Sequence, residues 1–125
     1  MNHPNLIEFA KSTAKEAGNI LMEHFGNISS FDHKSTEIDL VTIADTKSEA
    51  YIIDRIKATF PEHHIIAEES DITNGNSDYR WVIDPLDGTT NFAAGIPYWA
   101  ISIARFTNGP FASCPASSCS VTPCG

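Results

Sequence analysis

The stretch WVIDPLDGTTNF, residues 81–92, constrains the fold more than any other part of this 125-residue chain. An apolar run ends in Asp84, and a second carboxylate, Asp87, follows three residues later across a proline. Pro85 restricts its own backbone torsion and Gly88 can adopt torsions that other residues avoid, so the chain can turn tightly enough to bring the carboxylates together. Two anions this close repel each other unless a cation lies between them. The stretch therefore predicts a buried strand that ends in a cation-binding turn.

The atoms that such a turn would present are hard oxygen ligands. The carbonyl of Leu86 lies between the two carboxylates in the sequence, and oxygens of these kinds suit magnesium better than zinc or copper. Gly88, Thr89 and Thr90 follow, and the free N–H groups of a helix or turn that begins there would attract a phosphate. Metal-assisted hydrolysis of a phosphate ester needs both kinds of site side by side. By residue types alone, such a turn is more often a solvated loop or a helix cap, so this interpretation needs further support.

Composition limits the kinds of molecule that this protein could bind. The formal net charge is -8 and no cluster of lysines or arginines occurs, which argues against binding to nucleic acids or anionic membranes. No apolar run reaches about 18 residues, and the N-terminus lacks a basic region followed by an apolar core, so we expect a cytoplasmic protein without a signal peptide. The spacing of Cys114, Cys119 and Cys124 matches neither a zinc site nor a disulfide framework.

Two helices are predicted in the first half of the chain. Apolar residues recur at helical spacing through residues 5–25, which indicates an amphipathic helix. Thr42 and Asp45 have the spacing of a capping box, and apolar residues continue at helical spacing after them. A second helix is therefore predicted from about Ala44 to Phe60, where the following proline ends it.

Short strands account for the rest of the predicted core. The runs HHIIAEES and RWVIDP each end in acidic residues and are separated by the turn-rich DITNGNSDY, so we interpret them as two buried strands with Glu68, Glu69 and Asp84 at their C-terminal ends. Ligands bind at such strand ends in open α/β sheets. The alternating run from Tyr98 to Phe106 predicts a third strand. Helices followed by strands imply an α/β layered fold, with the helices packed on a sheet.

The character of the sequence changes at Gly109. Residues 109–125 contain no charged residue, are rich in Pro, Ser and Cys and show no period, so we predict no packed element there. This divides the chain into a domain at residues 1–108 and an atypical tail at 109–125. The tail is interpreted as disordered, or as the result of truncation or a shift of the reading frame.

Three motifs together resemble the inositol monophosphatase family. DLVTIAD, IIAEES and WVIDPLDGTTNF occur in the family's order and with its natural spacing, and the resemblance covers residues from about 5 to 108. It implies the N-terminal part of the family's α-β-α-β-α layered fold, which sugar phosphatases share. It also implies an Mg2+-dependent, lithium-sensitive phosphomonoesterase that hydrolyses inositol monophosphate by in-line attack. Full-length members are usually homodimers that act on small phosphomonoesters.

The resemblance further implies a set of metal ligands. Glu68, Asp84 and the backbone carbonyl of Leu86 would bind one Mg2+, and Asp84 and Asp87 would share a second ion. Glu68 would also belong to the catalytic group.

Catalytic and phosphate-binding roles are implied in the same way. Thr89, paired with Asp45, would orient and activate the attacking water. The backbone N–H groups of Gly88, Thr89 and Thr90 would bind the phosphate. Lys34 matches a lysine that family members place near the mobile metal loop.

The sequence also departs from the family. Members are considerably longer, and a later WDxAAG segment that supplies a further aspartate to the second metal ion has no match in residues 109–125. The resemblance therefore implies that turnover by this chain is strongly reduced or absent. Two alternatives stay open. One is a non-catalytic interaction module, since some bacterial members bind transcription machinery, and the other is a sugar phosphatase of the fructose-1,6-bisphosphatase type, whose members share these motifs.

Overall fold

The structure is a computed structural model that describes residues 5–25, 34–67, 71–72, 79–107 and 117–121. Helices and strands within these ranges follow one another as α1 (Leu6–His24), α2 (Lys34–Thr59), β1 (His64–Ala67), β2 (Asp71–Ile72), β3 (Tyr79–Asp87), α3 (Thr89–Ala93), β4 (Ala100–Thr107) and β5 (Ser117–Val121). The predicted α/β layered fold is confirmed, because helices α1 and α2 pack against a sheet.

The described strands form one mixed sheet in the order β2-β1-β3-β4-β5. β1 and β3 pair in parallel, with Ile65 opposite Trp81 and Ala67 opposite Ile83, whereas the other neighbouring pairs are antiparallel. Parallel pairing brings the C-terminal ends of β1 and β3 to the same edge of the sheet. Two of the acidic residues predicted to bind a cation, Asp84 and Asp87, lie at that edge of β3.

Helix α1 confirms the amphipathic helix that its sequence predicts. Asn5 caps its N-terminus, where the side-chain oxygen accepts hydrogen bonds from the backbone N–H groups of Ile7 at 3.0 Å and Glu8 at 3.3 Å. One face is buried, and it consists of Phe9, Ala10, Thr13, Ala14, Ala17, Gly18 and Leu21. The small residues among them, Ala10, Ala14, Ala17 and Gly18, let the helix lie close to its neighbours α2, β4 and β5.

Helix α2 begins at Lys34, ten residues earlier than predicted. The capping-box interpretation of Thr42 and Asp45 is wrong, because both residues lie inside the helix. Residues 34–43 contain neither glycine nor proline, so nothing in the backbone interrupts the helix there. The end of α2 agrees with the prediction, since Phe60 follows the last helical residue and its N–H donates to the carbonyl of Ile56 at 2.6 Å.

The hydrophobic core lies between the two long helices and one face of the sheet. Its most deeply buried large side chains come from α1, α2 and the central strands, and they include Leu21, Ile52, Ile56, Trp81, Ile83, Ile101 and Ile103. Alternate residues of β3 and β4 are more exposed; Val82 on β3 retains 40% of its accessible surface. The alternation is the period of two expected of strands that are buried on one face.

Two strands were missed because they depend on neighbours rather than on their own side chains. β2 lies in the segment predicted to be a turn, and it pairs with β1 through only two residues. β5 lies within residues 109–125, so the prediction of no packed element there is wrong for Ser117–Val121, which pair antiparallel with β4. Edge strands like β5 are held mainly by backbone hydrogen bonds, so they need no apolar alternation. The domain boundary after residue 108 and the origin of the tail stay predictions.

Candidate metal-binding and catalytic site

The acidic residues lie in a bulge at the end of β3. The register with β4 shifts between Asp84 and Asp87, so Pro85 and Leu86 of β3 lie opposite the single residue Ile101. The predicted tight turn is therefore wrong, because both aspartates stay paired with β4 and the extra residue is absorbed within the strand. A bulge of this kind bends the strand and re-aims its side chains. We call the segment from Asp84 to Asp87 the acidic bulge.

Gly88 connects the acidic bulge to helix α3. Its backbone has φ 90° and ψ 43°, a left-handed conformation that glycine adopts without steric cost. A Cβ atom built on Gly88 would lie 3.0 Å from the carbonyl oxygen of Tyr98 and 3.3 Å from Cα of Trp99. The Gly88 carbonyl accepts a hydrogen bond from the N–H of Phe92 at 3.0 Å, which closes the first turn of α3. Torsion and close packing both require glycine here.

The buried ring of Phe92 fixes the short helix α3 in place. Phe92 packs against Trp99 and Phe25, with ring centroids 5.3 and 5.4 Å apart. The side-chain amide of Asn91 donates to the Tyr98 carbonyl at 3.0 Å and joins α3 to the start of β4. With one side of α3 anchored in this way, Thr89 and Thr90 at its start are exposed to solvent.

The pKa of Asp84 in the acidic bulge is raised above its ordinary value. Burial raises the pKa of Asp84, repulsion from Asp87 raises it further, and a hydrogen bond from the N–H of Leu86 partly offsets both effects. Oδ1 of Asp84 is buried and has no hydrogen-bond partner among the described residues. A buried acceptor without a partner is costly, so this oxygen is suited to an additional ligand. Asp87 is exposed, which leaves the acidic bulge open to solvent on one side.

Helix α2 packs against β3, the strand that contains the acidic bulge. Contacts join α2 to both β3 and α3, and Asp45 on α2 is half-buried. Ser48, one helical turn after Asp45, is fully buried, and its hydroxyl donates a hydrogen bond of 3.0 Å to the carbonyl of Pro85. Ser48 is not among the site residues predicted from the sequence. The sequence did contain a signal, because Ser48 is a small polar residue at helical spacing between the apolar residues Ala44 and Ile52.

Two predicted site residues cannot be placed by their side chains. Glu68 lies outside the described residues, although Ala67 before it pairs with Ile83, the residue before Asp84. Lys34 is the first residue of α2, and its side chain also lies outside the described part. Among the described side chains, no group of three or more His, Cys, Asp or Glu residues is arranged to hold a metal ion. The predicted ligand and catalytic roles therefore stay predictions.

Comparison with known proteins assigns the family. The model of the inositol monophosphatase family matches residues 2–112. The chain belongs to the inositol monophosphatase family. Fructose-1,6-bisphosphatase/inositol-1-monophosphatase of Thermotoga maritima is 37% identical over 103 residues, which cover 82% of this chain and 40% of that protein. Nus factor SuhB of Escherichia coli is 41% identical over 104 residues, which cover 82% of this chain and 39% of that protein.

Solved structures agree with this assignment. The structure of inositol monophosphatase from Anabaena superposes on this chain with a TM-score of 0.65 and 38% sequence identity, covering 82% of this chain and 35% of that one. The chain thus spans about two fifths of the length of the curated relatives it matches, and it corresponds to the N-terminal portion of their fold. Within the described part of the chain, no helix combines the length and apolar character needed to cross a membrane.

Proposed function

We propose that this chain carries the N-terminal part of the active site of an Mg2+-dependent phosphomonoesterase that hydrolyses inositol monophosphate. The observation that supports this most directly is the buried Oδ1 of Asp84, which has no hydrogen-bond partner in the described part of the chain and lies beside a second carboxylate, Asp87, in the acidic bulge. The family assignment and the bifunctional name of the Thermotoga maritima relative support the reaction class.

The donor set of the acidic bulge fits Mg2+. Asp84, Asp87 and the backbone carbonyl of Leu86 are hard oxygen donors, which Mg2+ prefers to the nitrogen and sulfur ligands of zinc or copper. Glu68 follows the residue paired with Ile83 and would join Asp84 as a ligand. When bound, Mg2+ would offset the repulsion of the carboxylates and stabilise negative charge on the phosphate.

The remaining residues would position water and phosphate. Asp45 would accept a proton from the attacking water, and the Thr89 hydroxyl would orient that water for in-line attack. The contact between α2 and α3 supports this pairing, since it holds the two helices that carry these residues together. The N–H groups of Gly88, Thr89 and Thr90 would bind phosphate oxygens, with Lys34 as an accessory positive charge near the metal ligands.

We expect turnover by these 125 residues alone to be strongly reduced. The relatives extend far beyond the part that this chain covers. By resemblance, their later segments contribute another aspartate to the second ion and contacts to the substrate. We further propose inhibition by Li+, a cytoplasmic location and, for the full-length protein, a homodimer.

Two other functions have support in the names of the relatives. Hydrolysis of fructose 1,6-bisphosphate is favoured by the Thermotoga maritima relative, whose name gives both activities. A non-catalytic interaction role is favoured by the relatives named Nus factor SuhB, among them the Escherichia coli protein. The three proposals differ in whether phosphate is released and from which substrate.

Phosphate release from inositol 1-phosphate tests the proposal. The purified chain is assayed with and without Mg2+, with fructose 1,6-bisphosphate as a second substrate, beside Asp84→Asn and Asp54→Asn. Asp54 is an exposed aspartate of α2, so its variant controls for the loss of one charge. We expect weak, Mg2+-dependent release that Asp84→Asn abolishes and Asp54→Asn retains.

Other outcomes would redirect the assignment. No release and no Mg2+ binding by a folded chain would contradict the proposed site and favour the interaction role. Release that survives Asp84→Asn would show that the acidic bulge is not the reacting site.

A further inference from the structure

Ser48 makes a long-range contact that no predicted role explains. It is the hydrogen bond of Ser48 to the carbonyl of Pro85, which is 37 residues away in the chain and joins α2 to the acidic bulge. Both residues are fully buried, so water does not compete for the contact. A serine inside a helix more commonly bonds to a carbonyl of its own helix or faces solvent. The hydroxyl of Ser48 instead donates to a carbonyl of strand β3.

The Pro85 carbonyl has a particular need for a donor. It belongs to the two-residue side of the bulge, where regular pairing with β4 is interrupted between Asp84 and Asp87. A bulge leaves the backbone groups of its extra residue outside the strand ladder. Because Pro85 is buried, its carbonyl requires another donor within the protein. Ser48 provides that donor.

We infer that Ser48 is a positioning residue that holds the acidic bulge against α2 and thereby sets the geometry of the metal ligands. This inference rests on the proposed function. Pro85 lies directly between Asp84 and Leu86, which would both bind Mg2+ in that proposal. Mg2+ demands near-ideal octahedral geometry, so a small displacement of these oxygens weakens binding. Groups that orient metal ligands without touching the ion typically affect affinity strongly.

The position of Ser48 also links the acidic bulge to α2, the helix that carries the proposed base Asp45. Ser48 lies three residues after Asp45, so both are on neighbouring positions of one face of α2. One hydrogen bond therefore fixes the acidic bulge relative to the helix that carries the proposed base. Loss of the hydroxyl would let the bulge move with respect to both the ion and Asp45.

The test compares two buried hydroxyls. Ser48→Ala removes the donor to the acidic bulge. Thr13→Ala is the matched control, because Thr13 on α1 is equally buried and its hydroxyl has no hydrogen-bond partner within the described ranges. Asp84→Asn serves as the variant in which one proposed metal ligand has lost its carboxylate. Ser48→Cys keeps a donor at the same position, but a weaker one on a somewhat larger side chain, and replaces Ser48→Ala if that variant does not fold.

Two readouts separate positioning from simple loss of stability. Amide hydrogen exchange without metal reports whether Leu86, Asp87 and Gly88 open faster than the rest of the sheet. Mg2+ titration by calorimetry reports affinity. We expect Ser48→Ala to speed exchange at these amides by about tenfold relative to Thr13→Ala. We also expect it to weaken Mg2+ binding by about tenfold, whereas Thr13→Ala leaves the affinity unchanged.

The outcomes distinguish this inference from the proposed function. Unchanged Mg2+ affinity in Ser48→Ala, in an experiment where Asp84→Asn has lost binding, overturns the positioning role alone. Equal exchange at the three amides in Ser48→Ala and Thr13→Ala also overturns it. If the unchanged chain and Asp84→Asn bind Mg2+ equally weakly, the proposed metal site is wrong and this inference falls with it.

Discussion

The two ends of strand β3 are built for opposite purposes. Near its start, the indole N–H of Trp81 donates to Nδ1 of His63 at 2.9 Å, and the imidazole stacks on Phe60 with ring centroids 4.7 Å apart. At its end, Asp84 has a buried oxygen that no described residue hydrogen-bonds, and a like charge lies beside it. The first arrangement gains stability from packing and a satisfied hydrogen bond. The second gives up stability, as expected of a site that awaits a ligand.

The largest effect should come from the aromatic end. Trp81 is 1% exposed and packs against Phe9 with ring centroids 5.6 Å apart. Trp81→Ala should lower the free energy of unfolding by about 4 kcal/mol, because it removes a large core side chain and leaves a cavity. Urea unfolding followed by far-ultraviolet circular dichroism measures this loss. A loss under about 1 kcal/mol would mean that the aromatic end does not stabilise the fold as described.

At the Asp84 end of β3, alanine substitution of two glycines should separate the energetic cost of a left-handed backbone torsion from the cost of steric crowding. Gly88 and Gly95 both have positive φ, but of these two only Gly88 has atoms of the described residues within 4 Å of a built Cβ. Gly95→Ala should cost about 1 kcal/mol for the left-handed torsion, and Gly88→Ala about 2 kcal/mol because the backbone oxygen of Tyr98 must also move. Urea unfolding of the two variants gives the difference. Equal costs would contradict the close packing at Gly88.

The smallest expected effects concern the pH dependence of folding stability, which should have opposite signs at the two ends of β3. Burial and the nearby Arg105 lower the pKa of His63 from its ordinary value of 6.5. The hydrogen bond from Trp81 also requires Nδ1 to be unprotonated. A lowered pKa means that His63 contributes stability above pH 6.5 and that this stability is lost as the pH falls through its folded value. His63→Asn should keep an acceptor for Trp81 and reduce the loss on acidification, by less than about 1 kcal/mol after solvent screening.

Asp84 should respond with the reverse sign in the absence of Mg2+. Its raised pKa means that its stabilising contribution is present at low pH and is lost as the pH rises through the folded value. Asp84→Asn should therefore be slightly more stable than the unchanged chain at neutral pH, whereas His63→Asn should differ mainly in acid. Urea unfolding at a series of pH values, with His24→Asn as a histidine control, checks both signs. The same pH dependence in all variants would remove this contrast between the ends of β3.

The sequence predicted the elements whose signal is local. The apolar period of α1 is repeated every turn, so its limits were predicted closely from residues that lie side by side in the chain. The start of α2 was wrong because a capping pattern at Thr42 also occurs inside helices. β2 and β5 were missed because the pairing with β1 and β4 defines them.

The candidate site shows the same division. The residue types of the acidic bulge predicted oxygen ligands near a glycine, and the structure places Asp84, Asp87 and Gly88 in succession at the end of β3. The bulge itself could not be predicted, because it depends on the register with β4. Ser48 could not be assigned either, since its partner Pro85 is distant in the chain and close only in the fold.

The contact between α1 and β5 joins the first and the last of the described elements. During synthesis on a ribosome, α1 emerges early, but the strand that covers part of it emerges only after every other described element. Contacts between such distant segments slow folding, because a long chain must be ordered before they form. Until then the apolar stripe of α1 is incompletely covered and can associate with other nascent chains. The order of translation thus leaves the part of α1 that contacts β5 uncovered until the last of the described strands has been made.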